Sequence, residues 1–222
     1  MKKSPSTPLL LFGLERSVYT RIARLALEEK GVPYLLEEVE IFGPGGVPED
    51  HFDRHPFGRI PVLRDGDFSL YETTAITRYI DDTFSGPELQ PLDPRARARM
   101  NQVIGLLDAY AYRPMVWGVF VQRVRIPLEG GLPDEEEIDD SLRTAATCLK
   151  SLNDFLKSAS FLAGEEISLA DIHAFPILRY FCLVPEGDSL LKSHPGLRRW
   201  YEDMLLRPSV SQTATPYEFE RA

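Results

Sequence analysis

The chain has 222 residues, 34 acidic against 25 basic side chains and a formal net charge of -9, enough length for one large domain or two small ones. Its 43% hydrophobic content excludes a disordered or collagen-like chain, and the acidic balance excludes general attraction to nucleic-acid phosphates, which rests on clustered Lys and Arg. Two cysteines, Cys148 and Cys182, make neither a disulfide framework nor a zinc motif, and the first apolar run, Leu9 to Phe12, is too short for a signal-peptide core or a membrane span.

A soluble cytoplasmic protein is therefore expected, with no metal and with neither nucleic acid nor membrane as partner. Leu9 to Phe12 suits a strand covered on both faces, ended by Gly13. Val18, Ile22, Leu25 and Ala26 form the stripe of an amphipathic helix that stops at Gly31, with Pro33 just beyond. Tyr34 to Ile41 reads as a second strand, followed by the Gly43-Pro44-Gly45-Gly46 loop. Pro61 to Arg64 and Phe68 to Tyr71, joined across Asp65-Gly66-Asp67, carry a hairpin signal. A helix with Ile76, Tyr79, Ile80 and Thr83 on one side closes this α/β layer, giving a first domain over residues 1–84.

Ser85 to Pro94 is Pro-rich and irregular, as a linker over 85–94 would be. Beyond it no period-two run appears, and residues 95–222 read as an all-α domain. Met100, Val103, Ile104 and Leu107 mark its first helix, which Pro114 should kink or interrupt. Ile138 to Leu156 marks a long second helix whose first turn carries Asp134, Glu135, Glu136 and Glu137, where the helix dipole favours negative charge. Further helices are expected from Leu169 to Cys182, opened by a capping box of Ser168 and Asp171, and from Gly196 to Leu206. The fold class is α/β followed by all-α.

The chemistry is narrowed first by absences. The glycine loop lacks a following Gly-Lys-Ser/Thr, no G-x-S-x-G or H-E-x-x-H occurs, and the four histidines are scattered. Cys148 and Cys182 fall in apolar helix stripes and read as buried hydrophobes, and Arg95, Arg97 and Arg99 read as a solvated face. Three positions remain: Ser17 between the first strand and helix, Ile60-Pro61 before the third strand, and Glu72-Thr73 where the fourth strand hands over to a helix. All three can lie at one edge of the sheet, where helix N-termini attract anions and stabilise thiolates.

Several segments in consistent order resemble the cytosolic glutathione transferases. Ser17 to Tyr34 is similar to their first helix, His55-Pro56-Phe57-Gly58-Arg59-Ile60-Pro61-Val62-Leu63 to their Asn-Pro-Phe-Gly-x-(Ile/Val)-Pro-x-Leu segment, and Tyr71 to Ile80 to their Glu-Ser-x-Ala-Ile helix start. Phe161 to Gly164 and Ser168 to Ile172 resemble the family's capping-box stretch. The likeness implies a thioredoxin-like N-terminal domain, a helical-bundle C-terminal domain, a homodimer, and glutathione as co-substrate. It is closest to the serine-type classes, a phi- or theta-like member of bacterial or fungal type. By position, Ser17 would activate the thiol, with Tyr19 as the competing donor. Arg59, Ile60, Pro61, Glu72 and Thr73 would bind glutathione, with Pro61 cis, and His51 or Arg54 would meet its glycine carboxylate. Tyr110, Met115, Trp117 and Phe120 would supply an apolar wall for the electrophile, with core packing as the alternative for each. The implied reaction is conjugation of the glutathione thiolate to small hydrophobic electrophiles. A non-catalytic glutathione-binding or protein-interaction module, and a glutathione-dependent isomerase or peroxidase, are the alternatives.

Overall fold

The structure is a computed structural model that describes residue 2 and residues 8–219. The described residues form two compact units, one of the residues up to Leu89 together with those from Pro208 onward, the other spanning Gln90–Arg207.

In the first unit β1 (Leu9–Gly13), β2 (Tyr34–Glu38), β3 (Val62–Asp65) and β4 (Phe68–Tyr71) form a four-stranded sheet in the order β2-β1-β3-β4. β1 and β2 are parallel, whereas β3 is antiparallel to both β1 and β4. This is the mixed sheet of a thioredoxin-like domain. Leu9 and Leu11 are fully enclosed, and Phe12, on the other face of the alternating strand, packs with Leu14, Val39, Ile60 and Val62. The apolar run is thus covered on both faces. β2 stops at Glu38 rather than Ile41: its partner β1 ends at Gly13, whose carbonyl takes one last bond from the Val39 N–H at 3.0 Å.

Helices α1 (Val18–Lys30) and α2 (Thr73–Thr83) pack against each other. α1 ends at Gly31, whose left-handed φ of 66° suits a residue without Cβ. Lys30 and Asp81, both fully buried, pair at 2.9 Å, and the same ammonium donates to the Pro87 carbonyl at 2.8 Å. Two short helices complete the unit, α9 (Pro208–Gln212) and α10 (Pro216–Phe219). They are held on α1 by Arg21, which donates to Glu218 at 2.6 Å and to the Val210 carbonyl at 3.2 Å.

The second unit is helical. α3 (Pro94–Leu106), capped by Asp93, runs on without a break through wide π-type turns over Leu107–Ala111 and Arg113–Arg125 into α4 (Ile126–Leu128). Pro114 therefore does not interrupt the helix. A proline clashes with the carbonyl four residues back, and the i→i+5 bonding of a π turn widens the spiral where that ring must fit. α5 (Glu135–Phe155), α6 (Leu169–Phe181), α7 (Pro185–Lys192) and α8 (Pro195–Leu205) follow. α7 was not apparent in the sequence: with eight residues it shows too few turns for a clear stripe. A Cβ on Gly118 would lie 1.9 Å from Ser141 Oγ, so glycine is what lets the π segment approach α5 so closely.

Candidate active site

Strand register gathers the three sequence positions. Phe12 of β1 is opposite Val62 of β3, and Val62 is opposite Tyr71 of β4. The exit of β1 toward Ser17, the entry to β3 after Ile60-Pro61 and the exit of β4 into Glu72-Thr73 therefore lie at one end of the sheet.

Ser17 is the N-cap of α1, with extended backbone and an Oγ that accepts the Thr20 N–H at 3.3 Å. Its own N–H donates to the Leu14 carbonyl at 3.0 Å. The cap uses a lone pair of the hydroxyl, so the O–H proton remains available to donate. Tyr19 is half-buried two residues further on and has contacts of its own.

Ile60 is 8% exposed, yet neither its N–H nor its C=O has a hydrogen-bond partner among the described residues. Buried main-chain groups are almost always paired, so an open pair beside a sheet end is a ready-made site for another peptide-like molecule. The Ile60-Pro61 bond is cis. Arg59, just before it, is exposed.

At the third point, Glu72 caps α2 without any side-chain cap bond and has φ 70°, the one non-glycine residue at positive φ among the described residues. Such a backbone costs of order 1–3 kcal/mol and persists where the surroundings demand it. The start of α2 keeps its first N–H groups uncapped by Glu72, beside the buried Thr73, and a helix N-terminus of this kind favours a carboxylate.

The His55 ring lies tilted against Tyr71, centroids 4.6 Å apart, and burial pushes its imidazole below the usual histidine range against the pull of the Glu72 charge. Burial raises both thiols, Cys148 above its ordinary value and Cys182 up to about 12, so neither is poised as a nucleophile. Among the described residues no group of three or more His, Cys, Asp or Glu is placed to hold a metal ion, and no helix is long and apolar enough to cross a membrane.

Other expected positions fall elsewhere. His51 is wholly buried, with Nε2 2.7 Å from the Arg59 carbonyl, so it is enclosed rather than turned to a carboxylate in solvent. Arg54 pairs with Asp50 at 2.6 Å and lies over the Phe12 ring. In the second unit Met115 and Phe120 are buried, Phe120 edge-on to Tyr180, whereas Tyr110 is 64% exposed and Trp117 half-buried with Nε1 donating to the Tyr112 hydroxyl at 3.0 Å. Only Tyr110 and Trp117 of these four present appreciable surface.

A thioredoxin-like sheet with a serine cap, an open main-chain pair and a helix N-terminus at one end, joined to a helical unit, defines the class. Residues 11–88 match the N-terminal domain of glutathione S-transferases and residues 112–208 their C-terminal domain. A probable glutathione S-transferase of Oryza sativa subsp. japonica, GSTF1, is 30% identical over 211 residues, covering 94% of this chain and 96% of the relative. The apo structure of glutathione S-transferase III superposes with a TM-score of 0.85 at 29% identity, over 95% of this chain and 98% of the other. Glutathione S-transferase I of maize, solved in complex with an atrazine–glutathione conjugate, gives 0.80 at 28% identity over 93% and 96% of the two chains. The chain belongs to the glutathione S-transferase family.

Proposed function

We propose that this protein is a glutathione transferase in which Ser17 keeps the thiol of bound glutathione ionised for attack on small hydrophobic electrophiles. The observation that carries the reading is the sheet end itself, where the Ser17 cap, the open main chain of Ile60 and the uncapped start of α2 converge. Ile60 would pair with the cysteinyl main chain of glutathione beside Pro61. Glu72 and Thr73 would take the γ-glutamyl amine and carboxylate, and exposed Arg59 would lie along the tripeptide.

The energetics suffice. A cysteine-type thiol has a pKa of about 8.5, and lowering it by about two units requires roughly 2.7 kcal/mol. A hydrogen bond to a charged acceptor supplies about 1.5–3 kcal/mol. A helix N-terminus adds about 0.3–1 kcal/mol. One serine hydroxyl and one helix end therefore reach the required amount without a general base, because the serine donates a hydrogen bond and does not itself attack.

The Ser17→Ala variant should bind glutathione within about twofold of wild type and show a bound-thiol pKa about two units higher. Ultraviolet absorbance of the thiolate in the complex, followed against pH, measures this. Unchanged absorbance would move the role to Tyr19, for which Tyr19→Phe is the parallel test. Glutathione retention by the wild type with no turnover across a broad electrophile panel would leave a binding module instead.

Electrophile contact is proposed for the exposed face around Tyr110 and Trp117. We assign the protein to the cytosol, and a second copy of the chain as its partner: Phe57, 71% exposed, and Phe52, 48% exposed, supply apolar surface of the kind that marks interfaces. Sedimentation of the wild type and of Phe57→Ser tests that pairing, the variant being expected to run as a monomer.

A further inference from the structure

His51 has no part in the chemistry above, yet its setting is unusual. It ends a short 3-10 turn (Glu49–His51), its N–H donating to the Pro48 carbonyl and its C=O accepting from both Arg54 and His55 at 2.9 Å. The ring has no exposed surface, and Nδ1 has no hydrogen-bond partner among the described residues. All the hydrogen bonding of the ring passes through Nε2, 2.7 Å from the Arg59 carbonyl oxygen. A carbonyl only accepts, so Nε2 carries the proton and donates.

The Arg59 carbonyl shares a peptide plane with the Ile60 N–H. That peptide is trans, so the two groups project from opposite edges of one rigid plane. Gripping the carbonyl from behind therefore fixes the direction in which the Ile60 N–H points. The chain here lies outside any strand, between the end of the 3-10 turn and the start of β3, and no ladder bond holds this plane. We infer that His51 is a positioning residue, aiming the open Ile60 N–H at the peptide-like ligand through the Arg59–Ile60 peptide. The inference rests on the reading of this site as the glutathione site. It predicts that His51 acts on glutathione affinity and not on the thiol or the electrophile.

Three variants separate this from a purely structural role. Gln carries an amide nitrogen at about the reach of Nε2, Asn only at the reach of Nδ1, and Leu has no donor. Calorimetric titration of the full-length wild type and each variant with glutathione, well below their melting temperatures, should give a Kd about tenfold weaker for His51→Asn and His51→Leu. His51→Gln should stay within about twofold of wild type. In steady-state assays the KM for glutathione should follow the Kd, while kcat at saturating glutathione and the KM for the electrophile should not move. Should His51→Leu fail to fold, the Gln and Asn pair carries the comparison. Wild type that binds no glutathione would overturn the functional reading and this inference with it. Wild type that binds, with equal affinity in the Gln and Asn variants, overturns the inference alone.

Discussion

At the scale of single residues, Asp171 shows how a short motif gains weight from its surroundings. Ser168 and Asp171 form the capping box expected from the sequence, with Asp171 Oδ2 accepting the Ser168 N–H at 2.9 Å and the Ser168 hydroxyl at 2.8 Å. The other carboxylate oxygen accepts two donors the motif does not contain, the Leu162 N–H and Trp200 Nε1, both at 2.9 Å. The side chain is fully buried, so burial pushes its carboxyl above the usual range while these four donors pull the other way. A cap alone is worth about 0.5–2 kcal/mol. With two further buried donors stranded, Asp171→Ala should lose about 3–5 kcal/mol in urea titration. A loss below the cap value would mean that Leu162 and Trp200 find other acceptors.

For an element, the residues that set a helix end are fewer and closer together than those that set its interior. Ser168 caps α6 as the capping-box motif suggests, because a cap needs only a few neighbouring residues, whereas Asp134 is the N-cap of α5 rather than part of its first turn. The π run through Pro114 was not legible, since it depends on what the long helix must pack against. α7 was also missed, and it is tied to α8 by Asp188, which accepts from Lys192 at 2.7 Å and Arg198 at 2.8 Å. The Lys192 bond, then Arg198, hold the Asp188 carboxyl below its ordinary value of 3.8, against partial burial. A carboxyl whose folded pKa is depressed stabilises the protein above its unfolded pKa and loses that contribution as pH falls through the folded value. Asp188→Asn should therefore lower stability by about 0.5–1 kcal/mol at neutral pH. The gap from wild type should close as the pH is taken below about 4. A gap independent of pH would exclude the ion pairs as its source.

At the scale of the whole molecule, the chain returns to its first unit at Pro208 after the helical unit. The reason is electrostatic as well as apolar. Arg21 has no exposed surface, and its partner Glu218 lies 197 residues away in sequence. Arg24 donates to the Gln212 carbonyl at 3.2 Å, adding a second tie from α1. Breaking a buried ion pair by removing one partner costs about 3–5 kcal/mol, because the remaining charge stays enclosed. Glu218→Ala should lower the denaturation midpoint accordingly, and Arg21→Met combined with Glu218→Leu should recover most of the loss. Equal stability of Glu218→Ala and wild type would show that water reaches Arg21 once its partner is gone.

What is encoded within a few residues is legible in the chain alone: the strand and hairpin periods, the capping box at Ser168, the order of an α/β unit before a helical one, and the serine, Ile60-Pro61 and Glu72-Thr73 positions that strand register then brings to one sheet end. That His51 grips the Arg59 carbonyl, that Met115 and Phe120 lie in the core, and that the C-terminal helices rest on α1 emerges from the folded chain. Each of these depends on which distant segment arrives as a neighbour, and a hydrogen bond or ion pair of about 3 Å leaves no trace in the local pattern of either partner.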